Sequence, residues 1–159
     1  MATITKKWLK NQGACVEGYD WFIHQHDTDE LSVLNRLISE KRYDWANWLI
    51  ARRMTRQQYL QYAIYAAEQV IELFEKQYPN DKRPRLAIEA ARKCITDNSR
   101  AARDAARAAG AAARDAAWAA ARDAARDAGA AARDAAWAAG AAMLNKIITY
   151  GIELLKGGA

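Results

Sequence analysis

Histidine and cysteine are scarce in this chain, two of each in 159 residues. Cys15 and Cys94 stand 79 positions apart, which builds neither a disulfide ladder nor a zinc-ligand pattern, so a reducing compartment is expected. His24 and His26 are two residues apart and on a helix would point roughly 200° from one another, so they do not chelate together as an i, i+4 pair does. They read instead as polar residues at a helix end, where histidine suits the dipole. Two neighbouring histidines assemble no Ser–His–Asp or Cys–His arrangement, and no glycine-rich phosphate loop of the usual spacing occurs. The expectation is therefore no catalytic residue, no metal ligand and no cofactor. Long apolar runs are missing as well. No segment approaches the ~20 residues of a membrane span, and the N-terminus MATITKKWLKNQG carries no apolar leader. A soluble, cytoplasmic chain without a membrane partner is expected. Strand-type alternation is also absent.

What is abundant is alanine. Residues 102–120 read ARDAARAAGAAARDAAWAA and residues 121–139 read ARDAARDAGAAARDAAWAA, identical at 18 of 19 positions, with Ala108 against Asp127 as the exception. A helical unit has been duplicated. Apolar content is 52%, but much of it is alanine, so the bulk available for a core lies in the first hundred or so residues and at the C-terminus. The net charge is +5, of which the repeats, with six Arg against five Asp, supply +1. The excess sits mainly in residues 41–56 and 82–92. These shifts divide the chain into an N-terminal helical body, 1–98, and an Ala-rich two-repeat segment with a C-terminal helix, 99–159.

The spacing predicts helices almost throughout. A first runs from about Thr5 to Gln12, closed by Gly13 at its C′ position, and a second covers about Val16 to Gln25. Asp27 with Glu30 has capping-box spacing and opens a third, whose Leu31, Leu34, Leu37 and Ile38 form a core stripe. A fourth, from Asp44 to Met54, turns Trp45, Trp48 and Leu49 inward. Thr55 with Gln58 is a second capping box. It starts a long helix with Tyr59, Tyr62, Ala63, Ala66, Val70, Ile71 and Phe74 as its seam, ending near Tyr78. The loop YPNDKRPR follows, with Pro84 suited to the first turn of the next helix.

The repeat is helical almost by composition, since alanine has the best helix propensity. Ala102, Ala105, Ala106, Ala109, Ala113, Ala116, Ala117 and Ala120 make one face, and Arg103, Arg107, Arg114 and Trp118 cluster opposite. Nineteen residues leave the second alanine face rotated by about 100° from the first along a straight helix. A hairpin joined near Ala120 and Arg122 lets equivalent faces meet, and it is the favoured arrangement, although no Gly or Pro marks that junction. Met143, Leu144, Ile147, Ile148, Ile152 and Leu155 then dock a last helix on the core. The fold class expected is an all-α multi-helix bundle with an Ala-rich repeat hairpin and a C-terminal docking helix.

Two surfaces are candidates for recognition. The first is the ridge of Arg103, Arg107, Arg114, Trp118, Arg122, Arg126, Arg133 and Trp137, because Trp and Arg anchor interfaces. The bland reading of the same residues is Arg–Asp and Arg–Trp pairs that solubilise an alanine helix. The second is the basic stretch 41–56, with Lys41, Arg42, Arg52, Arg53 and Arg56 beside Trp45 and Trp48. It suits an acidic protein surface, or alternatively nucleic acid, although no helix-turn-helix, RNA-binding aromatic motif or zinc finger accompanies it. A homo-oligomer is compatible with either surface.

LKNQGACVEGYDWF (residues 9–22) and the stretch 41–94 are similar to small helical proteins of phages, prophages and bacterial genomes. YPNDKRPRLAIEAARK, followed by an alanine-rich tract, resembles the Imm-5-like immunity-protein domains. Together these stretches cover about half the chain. The resemblance implies a non-enzymatic inhibitor that binds and neutralises another protein, a toxin or a host-defence component, with phage counter-defence as the setting. It brings no catalytic residues with it.

Overall fold

The computed structural model describes residues 3–97, 99–101, 103, 104, 108 and 130–157, over 130–138 as backbone only. Among the described residues all regular structure is helical, in agreement with the all-α expectation: α1 Lys6–Asn11, α2 Val16–Ile23, α3 Glu30–Ser39, α4 Tyr43–Arg53, α5 Arg56–Gln77, α6 Arg83–Thr96 and α7 Ala130–Lys156. The expected hairpin of the two repeats lies outside the described residues. Chain contacts define two compact units, Met1–Met54 with Leu144–Ala159, and Thr55–Met143.

In the first unit, local chemistry sets each helix end. The Thr5 hydroxyl accepts from the Trp8 N–H at 3.1 Å, and the Cys15 thiol accepts from the Gly18 N–H at 3.3 Å. α1 closes in a Schellman motif: the Gly13 N–H donates to the Lys10 carbonyl and the Ala14 N–H to the Leu9 carbonyl, with Gly13 at φ 72°. α3 closes the same way, but with Lys41 at φ 58° in the position where glycine is usual. The cap of α3 is Asp29, whose carboxylate accepts from the Leu31 and Ser32 N–H groups, and not Asp27. Asp27 instead accepts from the N–H of Asp29, two residues on, and the Ser32 hydroxyl and that N–H hold its carboxyl below the usual range. Two aspartates two residues apart both precede an apolar run, so spacing alone does not choose between them. The N-terminal segment is pinned beside this turn by an isolated bridge between Thr3 and Asp29 and by the Ile4 N–H donating to the Thr28 carbonyl at 2.9 Å.

The core of this unit is built from Ile4, Leu9, Phe22, Val33, Leu34, Leu37, Ala46, Leu49 and Ile50, with Ile147, Ile148 and Ile152 from the end of α7. Fully burying a side chain such as Leu34 or Ile148 is worth about 1.5–3 kcal/mol. Ile147, Ile148 and Ile152 are buried as the apolar periodicity predicts, whereas Leu144 of the same expected set is exposed and Met143 and Leu155 are half-buried. α7 differs from the expected separate docking helix in its extent. It runs without a break from the second repeat through Gly140 to Lys156, and a Cβ added at Gly140 would meet nothing within 4 Å.

The second unit holds α5 and α6 as an antiparallel pair. Glu75 pairs with Arg85 and Glu68 with Arg92, so seven residues back along α5 match seven forward along α6. Thr55 and Gln58 form the expected capping box, and Pro84 lies in the first turn of α6. Ile64 and Ile71 pack with Ile88, flanked by Ala67, Ala91 and Ile95. This seam corrects the expected one. Tyr62 and Ile71 are buried, but Tyr59, Ala63 and Val70 are exposed. Apolar residues surround α5 on several sides, and its periodicity fits two faces equally.

Candidate functional site

α4 places Trp45 and Trp48, one turn apart, on the same side of the helix. Trp45 meets Trp21 of α2 edge-on, with ring centroids 6.2 Å apart, and Trp48 meets Trp8 of α1 at the same separation. Both contacts have the T-shaped geometry that ring quadrupoles favour. Each pair is covered by arginine. The Arg42 guanidinium lies 4.4 Å over Trp45, Arg52 lies 4.1 Å over Trp48, and Arg53 lies 5.3 Å over Trp8.

A half-open apolar cavity of about 270 Å³ lies among α1 to α4. Trp21, Trp45 and Trp48 wall it, and the buried side chains of Ile4, Leu9, Phe22, Val33, Leu37 and Leu49 form its floor. Cys15, Asp44 and the backbone of residues 13–14 stand at its edge. Gly18 lies in the first turn of α2, three residues after the Cys15 cap. A Cβ there would sit 3.1 Å from the Cys15 sulfur and 3.9 Å from two atoms of Trp45. Around the Trp21 end, Glu40 accepts from Arg42, from the Trp21 indole N–H at 2.8 Å and from Arg36. The Arg42 guanidinium foremost holds the Glu40 carboxyl below its ordinary value.

The sequence-predicted basic residues are placed as follows. Arg53 donates to Glu30 at 2.7 Å, and Glu30 is the one charged side chain buried among the described residues, at 5% exposure. Arg52 is exposed. It donates to the Gln12 carbonyl at 3.3 Å, which ties the loop after α1 to α4 across Trp48. Arg56, in the second unit, reaches the Cys94 carbonyl at 3.4 Å. These three therefore carry structural contacts, whatever else they bind. Arg103 is exposed and lies on a short described stretch. Arg107, Arg114, Trp118, Arg122 and Arg126 lie outside the described residues. Arg133 and Trp137 lie on α7, their side chains likewise outside. His24 bonds the Asp20 carbonyl of its own helix, 2.7 Å from Nδ1. Among the described residues, no three His, Cys, Asp or Glu side chains gather as metal ligands, and no helix is long and apolar enough to cross a membrane.

The cavity itself was not legible in the sequence. Trp45 and Trp48 read as core spacing, and the one local signal is Gly18, a glycine in the first turn of α2 where the Cys15 sulfur approaches the backbone.

Residues 50–149 match the family model described as Imm-5 like putative immunity protein, and residues 1–57 match the YdhT N-terminal domain. The first match spans well over half of the 159 residues, and the chain belongs to the Imm-5-like immunity-protein family. No curated protein and no solved structure matches it. The family assignment agrees with the resemblance seen in YPNDKRPRLAIEAARK and points to an immunity-type role, in which a protein is bound rather than a substrate converted.

Proposed function

We propose that this protein is a non-enzymatic inhibitor that neutralises a toxin or host-defence protein in the cytoplasm by direct binding, with phage counter-defence as its setting. The observation that carries the reading is the Imm-5-like match over residues 50–149. The repeat supports it: Arg103, Arg107, Arg114, Trp118, Arg122, Arg126, Arg133 and Trp137 recur in register, so a partner that engages both units gains through effective concentration. The basic excess of the chain suits a partner with an acidic surface.

The test is affinity capture of the tagged full chain from producing cells, uninfected and phage-infected, followed by expression of each captured protein with and without this chain. The expected result is a partner whose toxicity or defence activity is suppressed only when the chain is present. Binding to generic duplex DNA or RNA at micromolar concentration, with a steep dependence on salt and no protein partner, would replace this reading with the nucleic-acid alternative. The structure weighs against that alternative in one respect. Two of the cations in the 41–56 stretch are already neutralised, Arg42 by Glu40 and Arg53 by Glu30.

A further inference from the structure

We propose that the tryptophan-walled cavity of the first unit receives one large apolar side chain, aromatic or branched aliphatic, from a protein segment that carries a carboxylate beside it. The inference rests on the protein-binding reading above and names the chemistry of the segment that binds. Size is the first argument. At about 270 Å³ the cavity falls just below the range of small-molecule sites and has room for one or two large side chains. Lining chemistry is the second. The walls are indole rings and the floor is aliphatic and aromatic, and among the described residues no buried side-chain nitrogen or oxygen lacks a partner. The polar groups of Cys15, Asp44 and the backbone of residues 13–14 stand only at the edge, so a sugar or a nucleobase seated on the floor would bring polar groups against apolar side chains alone, and leaving them unpaired is costly. An apolar side chain makes no such demand.

Gly18 is the third argument. Glycine is among the poorest helix formers, and at this position a Cβ would press on the Cys15 sulfur at 3.1 Å and meet Trp45 at 3.9 Å, so any larger residue crowds this part of the lining. Charge settles what flanks the anchor. Arg52 stacks on Trp48 and bonds a backbone carbonyl, yet no carboxylate lies within ion-pair distance of it among the described residues. A carboxylate next to the inserted side chain meets that guanidinium. Asp44 stands at the other end of α4, about 12 Å along the helix by its rise per residue. It disfavours a uniformly acidic ligand and, with it, a phosphate backbone.

The test is selection of a displayed random dodecapeptide library on the full-length protein. Occupancy is blocked in two independent ways. N-Ethylmaleimide modifies the exposed Cys15 of the folded chain, whereas Cys94 is buried at 1% exposure. Gly18→Leu fills the same wall genetically, and its helicity is checked by circular dichroism. Should Gly18→Leu fail to fold, the alkylated wild-type chain carries the test alone. Selected peptides are expected to share one Trp, Phe or Leu with an Asp or Glu within two positions. Their affinity should fall by about tenfold or more on either block, and by several-fold in Arg52→Gln, as loss of a buried anchor and of an ion pair require. Peptides without a common apolar residue, purely acidic peptides, or peptides that bind the alkylated protein equally well overturn the proposal. The selection does not read toxin neutralisation. A failed selection therefore removes the anchor and leaves the inhibitor reading to its own test, and a failed neutralisation with a successful selection does the reverse.

Discussion

Arg53→Met should be among the most damaging single changes in the first unit. The Arg53 guanidinium lies 2.7 Å from the Glu30 carboxylate, and the two side chains are 23% and 7% exposed. Removing one partner of a buried pair leaves an uncompensated charge, which costs about 3–5 kcal/mol. Arg53 keeps a quarter of its surface in water, which argues for the lower end, about 3 kcal/mol. Methionine retains most of the aliphatic stem but gives up the guanidinium over Trp8, a loss that recurs in the double variant and so leaves the coupling below unchanged. Glu30→Gln keeps an acceptor for Arg53 and should cost about 1.5 kcal/mol, the weakening of a charged hydrogen bond. Acting independently, the two changes would cost about 4.5 kcal/mol together. The double variant buries no unpaired charge and should lose only about 2–3 kcal/mol, a coupling of about 2 kcal/mol. Urea unfolding followed by circular dichroism measures all four corners of the cycle, with an unchanged m-value as the control on the denatured state. A cost for Arg53→Met under about 1 kcal/mol, or strict additivity in the cycle, would refute the claim that this pair acts as a buried ion pair.

Three further outcomes follow from the same structure. Lys41→Gly should stabilise the chain by up to about 1 kcal/mol by relieving a left-handed backbone, and Gly13→Ala should destabilise it by a similar amount, both read from the thermal midpoint. Burial pushes the Tyr62 phenol up to about 12 from 10.0. Above pH 10 the unfolded chain therefore loses this proton first, and stability falls by about 2–3 kcal/mol towards pH 12, a slope that Tyr62→Phe should remove. Trp118→Ala and Trp137→Ala should each weaken binding of the captured partner by over about 1 kcal/mol with helicity intact; loss of folding in both would assign these tryptophans to a core.

Local chemistry was the legible part of this fold. Thr55 with Gln58, Gly13 after α1 and Pro84 in α6 act through hydrogen bonds or torsions within a few residues, and each stands where its spacing placed it. Choices between equivalent local signals were not legible. Asp27 and Asp29 compete for one cap, and α5 carries apolar residues on more than one face, so only packing against α6 selects Ile64 and Ile71 over Tyr59 and Val70. Long-range pairing was hidden for a different reason. Glu30 and Arg53 are 23 residues apart, and nothing in either's neighbourhood names the other. Arg52 and Arg53 read as members of one basic recognition surface, but adjacent residues on a helix point about 100° apart. One stacks at the cavity edge and the other enters a buried pair. The cavity is the extreme case, because it is defined by space that no residue fills.

The two family matches meet at residues 50–57, across the end of α4 and the start of α5. Every residue lining the cavity precedes residue 50, in the part similar to the YdhT N-terminal domain, whereas the Arg/Trp repeat lies in the Imm-5-like part. The two candidate surfaces thus belong to different sequence modules, and their energetics should be separable. A single partner that spans both would lose affinity when either is altered, with losses that compound as for any bivalent contact. Two partners would respond independently: alkylating Cys15 would release one and leave the other bound to the repeat. Measuring the captured partner's affinity for the alkylated chain, for Trp118→Ala and for the two combined decides between these cases. Losses at both surfaces on one partner would make the chain a two-site inhibitor. A loss confined to the repeat would leave the cavity to a second ligand of its own.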